Sequence, residues 1–422
     1  MAIRSALAMA VQSAVPLDRV LNISGDSRTA NCHSGAAPNE ISEAYGYGCW
    51  IGRYSGGRVR VSAARNGGNG GDTSAMWLAR MPTILANGGS VFVNLIGTND
   101  RGAANLSLET SKRNIEAGIR MQLAAGKIPI IVAELPRGGS NALTGQQLAN
   151  HLALRDWIKS YFPRIGVRVA DPWVDLIDPA NAAAGLPLPG LFHDGLHPGP
   201  IAAMIIGMHI ARQLIDLYPA ALELPLFDSP YNASTNVTGW LTSNPLCTGI
   251  GGTKNGAANA TGPLADGFSL TASAWTGATA TLSKEASPAA GELQVIDLGG
   301  MPTGASSYLS FEQSISLANI ASGNKARVMA WVEQEGLAGV SGVSLDIRFV
   351  RGGTAYYVKD ADRYLETTPL DARRVAGPME TPLLTLDGTE TDIKARLVIY
   401  GCQNVPMAGR VKVGQFAGGK LL

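Results

Sequence analysis

Apolar, strand-like runs alternate with helical segments over the first half of this 422-residue chain, and this alternation constrains the fold most strongly. The strand-like runs are 20–24, 59–63, 91–96, 128–133 and 167–170, and the helical segments are 73–86, 108–125, 144–161 and 198–217. Alternation at this spacing predicts a parallel sheet with helices on both faces, whose ligands bind at the carboxyl ends of the strands. We therefore expect a three-layer, doubly wound α/β domain over residues 19–220.

The second half of the chain has a different pattern. Pro219, Pro225 and Pro230 indicate a linker at residues 221–240. Beyond it, alternating apolar and polar runs are separated by Gly-rich turns, at 278–283, 291–298, 308–315, 326–332, 343–350 and 393–400. This pattern predicts an all-β sandwich or jelly-roll domain over residues 241–422.

Charge and hydropathy exclude several classes of partner. The chain has 34 Lys and Arg against 33 Asp and Glu, and a net charge of +1 gives no reason to expect nucleic acid. No apolar run reaches the roughly 20 residues that span a bilayer. Only 16% of the residues are charged and 51 are Gly, which favours an extracellular or virion-associated protein. In the N-terminal segment, residues 1–18, a short amphipathic helix is favoured over a signal peptide.

The four cysteines divide evenly between the two halves of the chain. Disulfides Cys32–Cys49 and Cys247–Cys402, one per domain, and four free thiols are equally compatible with this arrangement. None of the spacings is typical of a zinc site, and we expect neither a metal nor a cofactor.

Polar blocks follow the strand-like runs, where a parallel sheet would place chemistry. Gly-Asp-Ser ends at Ser27, and a Gly-rich stretch at 66–73 presents backbone N–H groups that suit an oxyanion. Gly-Thr-Asn-Asp contributes Asn99, and Asp-Gly-Leu-His contributes Asp194 and His197. Ser27 has the chemistry of a nucleophile and His197 that of its base, while Asp194, three residues earlier, could orient the imidazole.

In this order, the four blocks resemble those of the SGNH (GDSL-type) hydrolases, and the stretch at 71–82 is similar to the lysophospholipase/thioesterase branch of that family. The resemblance covers about residues 19–217. It implies a flavodoxin-like hydrolase fold in which a serine, a histidine and an aspartate act together.

Carried onto this sequence, the resemblance implies that Ser27 attacks an ester carbonyl, His197 transfers the proton and Asp194 holds the imidazole. The implied oxyanion hole comprises the backbone N–H groups of Ser27 and Gly71 and the side-chain amide of Asn99.

Three further residues are candidates for substrate binding: Arg28, His33 and Asn66. Arg28 could contact a polar or anionic substrate or bridge to a carboxylate such as Asp26, and the sequence favours neither. His33 could line the pocket or be an ordinary loop histidine. His193, next to the candidate triad aspartate, is interpreted as structural.

The resembled family includes acetylesterases acting on sugars, lipases and thioesterases. The Gly-, Asn- and Tyr-rich loops at 34–57 and 66–71 favour a small acyl group on a polar scaffold. We therefore expect an esterase that removes O-acetyl groups from a carbohydrate or polysaccharide, such as a bacterial surface glycan. The alternatives are a lipase or thioesterase of the same fold and a glycan-binding structural protein with a vestigial site.

The predicted β domain resembles a carbohydrate-binding or fibre-type module. Trp275, Trp331, Tyr356 and Tyr357 could stack on sugars, although the alternating pattern of its strand favours a core position for Trp331. A phage tail protein and a secreted bacterial deacetylase are both compatible with these features. A fibre module would make the protein a homo-oligomer, in that case a trimer.

Overall fold

Short apolar strands build the sheet that positions the candidate site. In this computed structural model, the described residues are 17–421 except 103, 220–223, 233, 258, 364–368 and 371–373. The first seven strands are β1 (Val20–Gly25), β2 (His33–Ser34), β3 (Glu40–Glu43), β4 (Arg60–Gly68), β5 (Val91–Leu95), β6 (Ile128–Val132) and β7 (Arg168–Ala170). Nearly all of the N-terminal segment at 1–18 and part of the predicted linker lie outside the described residues.

Five of these strands pair in parallel in the order β4-β1-β5-β6-β7. Strand β1 lies between β4 and β5, and its carboxyl end faces the crevice where the strand order reverses, the usual ligand position in such sheets. β5 is buried along its whole length, and β6 is buried from its second residue, which explains their nearly continuous apolar sequences. The predicted doubly wound α/β fold is confirmed.

Helices cover both faces of this sheet. They are α1 (Ser27–Ala30), α2 (Tyr47–Tyr54), α3 (Ser74–Ala79), α4 (Met81–Ala86), α5 (Leu108–Ala124), α6 (Gly145–Tyr161), α7 (Trp173–Leu176) and α8 (Pro200–Arg212). The apolar side chains of α2 and α8 form one core with alternate residues of β1 and β5, and those of α3, α5 and α6 form the other. None of the helices in the described ranges is long and apolar enough to cross a membrane.

Three predicted boundaries differ from the structure. The strand predicted at 59–63 runs on to Gly68, because its last residues pair with the end of β1. The helix predicted at 73–86 is two helices that meet at Arg80, and Pro82 lies in the first turn of the second. The helix predicted at 198–217 is limited to Pro200–Arg212.

The second half forms two facing sheets. Its strands are β8 (Gly251–Asn255), β9 (Ala260–Thr261), β10 (Leu264–Ser273), β11 (Ala278–Ala286), β12 (Glu292–Gly300), β13 (Tyr308–Ser314), β14 (Lys325–Ala338), β15 (Val340–Arg351), β16 (Thr354–Asp362), β17 (Val375–Glu380), β18 (Leu384–Thr385), β19 (Glu390–Gly401) and β20 (Ala408–Leu421). One sheet has the order β2-β3-β16-β15-β19-β13-β10-β8 and the other β17-β14-β20-β12-β11-β9, with β18 beside β14.

Aromatic side chains from both sheets form the centre of this second core. The Phe268 and Phe311 rings stack with centroids 4.0 Å apart, and the Phe416 ring meets Phe268 edge-on at 5.5 Å. Because Phe268 and Phe311 belong to one sheet and Phe416 to the other, the contact joins the two layers. The predicted β-rich second half is confirmed, and each of the six alternating runs matches one of its strands, with residues 291 and 315 just outside them.

The eight-stranded sheet also includes two strands from the first half of the chain. β3 pairs in parallel with β16, and β2 pairs with β3. Beside this junction, Arg53 Nη2 lies 2.9 Å from Asp360 Oδ2 and 2.8 Å from the Val343 carbonyl oxygen. Both charged side chains are buried. The two halves are therefore joined by a shared sheet and a buried ion pair, which sequence patterns did not predict.

All four cysteines are free thiols. Burial raises the pKa of Cys32 and of Cys247 to about 12, so both are protonated at neutral pH. Of the two arrangements that the sequence left open, the structure contains the free thiols.

Candidate active site

Ser27 lies at the turn from β1 into α1. Asp26 is the N-cap of this helix, and its carboxylate accepts a hydrogen bond from the Arg28 backbone N–H. An N-cap aspartate fixes the first turn because it satisfies one of the unpaired N–H groups at a helix start. Asp26 therefore supports the turn that carries Ser27.

Ser27, His197 and Asp194 form a hydrogen-bonded chain. His197 Nε2 is 2.8 Å from Ser27 Oγ, and His197 Nδ1 is 2.7 Å from Asp194 Oδ2. The two ring nitrogens therefore face different partners, a hydroxyl and a carboxylate. With a proton on Nδ1, the imidazole presents the lone pair of Nε2 to the hydroxyl of Ser27.

Asp194 is anchored by the backbone that follows it. Its Oδ1 accepts hydrogen bonds from the backbone N–H groups of Leu196, at 2.9 Å, and His197, at 2.7 Å. Partial burial raises the pKa of the Asp194 carboxyl, but these bonds and the imidazole outweigh it and lower the pKa to about 2. The carboxylate is therefore ionised throughout the neutral range, as an orienting group must be.

His193 lies against the imidazole of His197. Their rings stack with centroids 5.6 Å apart and an angle of 20° between the planes. Sequence reasoning interpreted His193 as structural, and its ring is in fact in direct contact with that of the candidate base. Ligating atoms of His193, Asp194 and His197 lie within 4.8 Å of one another, the one such group in the part of the chain that the structure describes.

The predicted oxyanion donors lie on the loops that follow β1, β4 and β5. Among the described residues, the backbone N–H groups of Ser27 and Gly71 have no hydrogen-bond acceptor. Gly71 is exposed with φ +81°, and a Cβ built there meets no atom within 4 Å, so a side chain would enter open space. Asn99 Nδ2 donates one hydrogen bond to the Asp72 carbonyl oxygen at 3.0 Å.

The loop that carries Gly71 is held from several directions. Asn69 N donates to the carbonyl oxygen of Gly25, and the Asn69 side-chain amide donates to the Asp72 carboxylate. Arg80 Nε also binds this carboxylate, at 2.8 Å. These contacts tie the Gly71 loop to the end of β1, and the sequence blocks gave no role to Asn69, Asp72 or Arg80.

Arg28 does not reach the surface. Its guanidinium binds Asp26 through two nitrogens, Nε at 3.0 Å and Nη2 at 2.7 Å, and its Nη1 lies 3.1 Å from Glu134 Oε2. All three side chains are completely buried. The hypothesis that Arg28 contacts substrate is incompatible with this position; the alternative, a bridge to Asp26, is what the structure contains.

Sequence reasoning missed Glu134, which follows β6. Burial lowers the pKa of Arg28, but the two carboxylates outweigh it and raise that pKa. Burial also raises the pKa of Glu134. Arg28 reaches Glu134 through one nitrogen, whereas it binds Asp26 through two. A lone acidic residue at the end of the apolar run 128–135 was the only signal in the sequence.

His33 and Asn66 are close to each other, next to the nucleophile turn. Asn66 Nδ2 lies 3.1 Å from His33 Nδ1 and also donates to the carbonyl oxygens of Thr29 and Ala30. Burial lowers the pKa of His33 to about 4, so the ring is neutral at pH 7. These contacts give Asn66 a role in holding the end of α1, and a contact of either residue with substrate stays a prediction.

The four aromatic residues predicted to stack on sugars have different environments. Trp275 is buried in the core, and Tyr356 stacks on Phe349 with centroids 5.5 Å apart. The Tyr357 ring lies under Lys359. Trp331 is half-buried and lines a surface cleft.

Residues 23–203 match the model of the GDSL-like Lipase/Acylhydrolase family. A search of curated proteins found no match to the chain. Among solved structures, the chain is similar to a lipolytic protein of the G-D-S-L family from Desulfitobacterium hafniense, with 21% identity over 46% of this chain and 99% of that one, and a TM-score of 0.37.

Two further solved structures are similar over the same half. A GDSL-like lipase from Bacteroides thetaiotaomicron is 16% identical over 50% of this chain and 95% of that one, with a TM-score of 0.35. An acetylxylan esterase from Geobacillus stearothermophilus is 16% identical over 47% and 95%, with a TM-score of 0.38. On the family match, residues 23–203 of this chain form a GDSL-like lipase/acylhydrolase domain, the domain of an ester hydrolase.

Proposed function

We propose that this protein is a serine esterase that removes O-acetyl groups from a carbohydrate or polysaccharide. The observation that carries the esterase mechanism is the continuous chain Ser27 Oγ, His197 Nε2, His197 Nδ1 and Asp194 Oδ2, with distances of 2.8 and 2.7 Å. A serine hydroxyl is a weak nucleophile until a base within hydrogen-bond distance accepts its proton. His197 is such a base, and Asp194 sets its tautomer.

In the acylation step, Ser27 Oγ attacks the ester carbonyl carbon while its proton passes to His197 Nε2. The carbonyl oxygen becomes an oxyanion, which the Ser27 and Gly71 N–H groups and the second amide hydrogen of Asn99 would stabilise. The first amide hydrogen of Asn99 is already committed to Asp72, and this bond aims the group. The intermediate collapses as His197 returns the proton to the leaving sugar oxygen, and acetyl-Ser27 remains.

In the deacylation step, water takes the place of the sugar alcohol. His197 Nε2 accepts a proton from the water as it attacks the acetyl carbonyl, and the same donors stabilise the second oxyanion. Collapse returns the proton to Ser27 Oγ and releases acetate. No step in this scheme needs a metal ion, and we expect a chelator to leave the rate unchanged.

Openness of the site supports a small acyl group on a polar alcohol. The Asp194 side chain is 39% exposed and that of His197 is 23% exposed. A cleft of about 440 Å³ adjoins Asp194, and its walls combine glycine backbone at Gly138 with the side chains of Ser140 and Leu188. A long acyl chain would need an apolar, water-excluding channel, whereas a sugar can occupy a wet and mixed surface.

The proposal is tested by acetate release from a panel of acetylated polysaccharides and from 4-nitrophenyl acetate, with Ser27→Ala as the control for background hydrolysis. A series of nitrophenyl esters separates the lipase and thioesterase alternative, because a rate maximum at about eight carbons or longer would exclude an acetylesterase. Binding of a glycan without hydrolysis of any ester would instead support the structural alternative.

Setting and assembly are further parts of this proposal. The low charge content favours an extracellular or virion-associated protein, and a fibre-type β module would form a homo-oligomer. Sedimentation of the full chain measures the oligomeric state, and a tail fibre is expected to be a trimer.

A further inference from the structure

A second cleft, of about 650 Å³, lies on the β-rich half of the molecule. We call it the tryptophan cleft; Phe227, Trp240, Ser287, Trp331 and Gln415 are among the residues that line it. It shares no lining residue with the Ser27 site or with the cleft beside Asp194. Its size is within the range of small-molecule sites, and its walls are mainly apolar with a few polar groups, which is the usual composition of such sites.

Hydrogen bonds hold the Trp331 ring and the Trp240 backbone in place before any ligand binds. Trp331 lies on β14, and its Nε1 donates a hydrogen bond to Glu333 Oε1 at 3.0 Å. The Trp240 backbone is bridged to the segment before it, through its N–H to the Ser229 carbonyl oxygen and its carbonyl to the Tyr231 N–H, both at 2.8 Å. Both tryptophans are half-buried, so part of each remains accessible. Fixed aromatic faces lose little conformational entropy when a ligand binds.

The third ring belongs to Phe227, whose exposed fraction is 75%. An exposed phenylalanine next to two accessible indoles is an apolar surface that a monomeric protein normally covers or uses. Core packing therefore does not explain why these three rings lie together at the surface.

Polar groups in the tryptophan cleft are also fixed. Gln415 is 3% exposed, has the left-handed φ of +46° at a bulge of β20, and donates from Nε2 to the Pro225 carbonyl oxygen at 2.9 Å. Such bulges commonly re-aim a side chain.

Ser229 Oγ accepts a bond from Asn236 Nδ2 at 2.7 Å, and Ser287 Oγ accepts from the backbone N–H of Ala289 at 3.3 Å. In the described part of the chain these two hydroxyls donate to no acceptor, so each has a hydrogen for a ligand.

The charge of the lining decides between classes of ligand. Among the described residues that line the tryptophan cleft there is no Asp, Glu, Lys or Arg. An ionic ligand would therefore lose its hydration without gaining a counter-charge. A neutral molecule with a flat apolar face and hydroxyl groups at its edge matches both the rings and the fixed hydroxyl and amide groups. A pyranose ring has that chemistry.

We infer that the tryptophan cleft binds a neutral pyranose-containing glycan, at a site separate from Ser27. The inference stands on the cleft and does not depend on the proposed esterase activity. A second copy of this chain, seated on Leu226 and Phe227, is the competing occupant, and the experiment below distinguishes the two.

The experiment uses the full chain carrying Ser27→Ala, so that no ester is cleaved, and titrates it with cellohexaose, xylohexaose and mannohexaose while intrinsic tryptophan fluorescence and heat are recorded. We expect saturable binding of at least one hexasaccharide. Trp331→Ala and Trp240→Ala should each weaken it by about tenfold or more, because buried aromatic contacts dominate such sites. Leu317→Ala, an exposed apolar change outside the cleft, is the matched control and should leave binding unchanged.

Phe227→Ala keeps the test valid if a tryptophan variant misfolds, since an exposed side chain contributes little to the fold. It should also weaken binding. In an otherwise unchanged chain, Trp331→Ala should leave hydrolysis of 4-nitrophenyl acetate at the original rate, which separates this site from the proposed esterase. Absence of saturable binding to all three hexasaccharides, or binding that Phe227→Ala and Trp331→Ala do not alter, would overturn the inference. Sedimentation showing a dimer that Phe227→Ala dissociates would assign the cleft to a second copy and would equally overturn it.

Discussion

Glu134 Oε2 lies 3.1 Å from Arg28 Nη1, and both side chains are completely buried beneath the turn that carries Ser27. Arg28 also holds Asp26, the N-cap of the nucleophile helix, so the ion network joins the end of β1 to the end of β6. A Cβ at Gly97, where the Asn99 loop begins, would lie 2.5 Å from Glu134 Oε1. The same carboxylate therefore packs against two of the loops that position the candidate oxyanion donors.

Replacing Arg28 should destabilise the protein strongly. Arg28→Leu leaves Asp26 and Glu134 buried without their counter-charge, and breaking such a pair from one side costs about 3–5 kcal/mol. The measurement is the free energy of unfolding from urea denaturation. Arg113→Leu, an exposed arginine on α5, is the matched control and should change it by less than about 0.5 kcal/mol. Equal effects of the two substitutions would show that the buried network contributes nothing.

Removing the Asn99 amide should slow turnover without weakening substrate binding. Asn99→Ala deletes a donor that acts on the oxyanion, so kcat should fall about 10²–10³-fold while KM stays within a few-fold. Initial rates of 4-nitrophenyl acetate hydrolysis measure both constants. Asn150→Ala on α6 serves as the control. A loss of kcat below about threefold would remove Asn99 from the oxyanion hole.

Acid should destabilise the fold through its buried histidines. Burial lowers the pKa of His151 to about 3 and that of His33 to about 4. The unfolded chain binds a proton at each ring below about pH 6.5, whereas the folded chain does not, so stability is lost as pH falls from 6.5 toward 4. Between pH 7 and pH 5, each histidine should remove about 2 kcal/mol from the free energy of unfolding.

His151→Gln isolates one of these contributions, because glutamine can still donate to the Leu135 carbonyl oxygen that His151 Nε2 contacts at 2.9 Å. Urea unfolding of both proteins at pH 7 and pH 5 should show a smaller pH effect in the variant, by about 2 kcal/mol. An identical pH effect in the two proteins would mean that His151 is not the buried neutral group described here.

The features that the sequence predicted well are those with a local signal. Apolar runs such as 91–96 and 128–133 are buried strands because burial removes their apolar side chains from water. Three of the four polar blocks follow β1, β4 and β5 because parallel topology puts them at one edge of the sheet, whereas Asp194 and His197 lie in the loop before α8. The same patterns predicted that Ser27, Asp194 and His197 lie together, and the distances between their side chains fit hydrogen bonding. Their catalytic roles stay predictions.

Features that depend on long-range contacts could not be predicted. Nothing in Arg28 or Glu134 alone distinguishes a substrate contact from a buried partner, since 106 positions separate them. The pairing of β3 with β16 likewise joins segments more than 300 positions apart, and short strands such as Glu40–Glu43 carry little periodicity. Local patterns assign a segment its conformation, but its partner is chosen by the whole fold.

Separating the two halves should therefore disrupt the first. In a chain that ends at residue 220, β3 loses its pairing with β16 and becomes an unpaired sheet edge. Arg53 also loses Asp360, the partner of its buried charge. Both losses destabilise the first half of the chain. We expect lower acetate release and a lower thermal midpoint than in the full chain, and faster hydrogen exchange at 33–54. Addition of residues 224–422 in trans is the control for recovery. A truncated chain with the rate and thermal midpoint of the full chain would show that the shared sheet is dispensable.

The nucleophile assignment is tested most directly by covalent trapping. A fluorophosphonate, which reacts with activated serines, is incubated with the full chain, and the modified peptide is identified by mass spectrometry. We predict one adduct per chain, at Ser27, formed at least about 10²-fold more slowly in His197→Ala because the base is missing. Labelling at any other residue, or a Ser27→Ala protein that still releases acetate at the original rate, would contradict the mechanism.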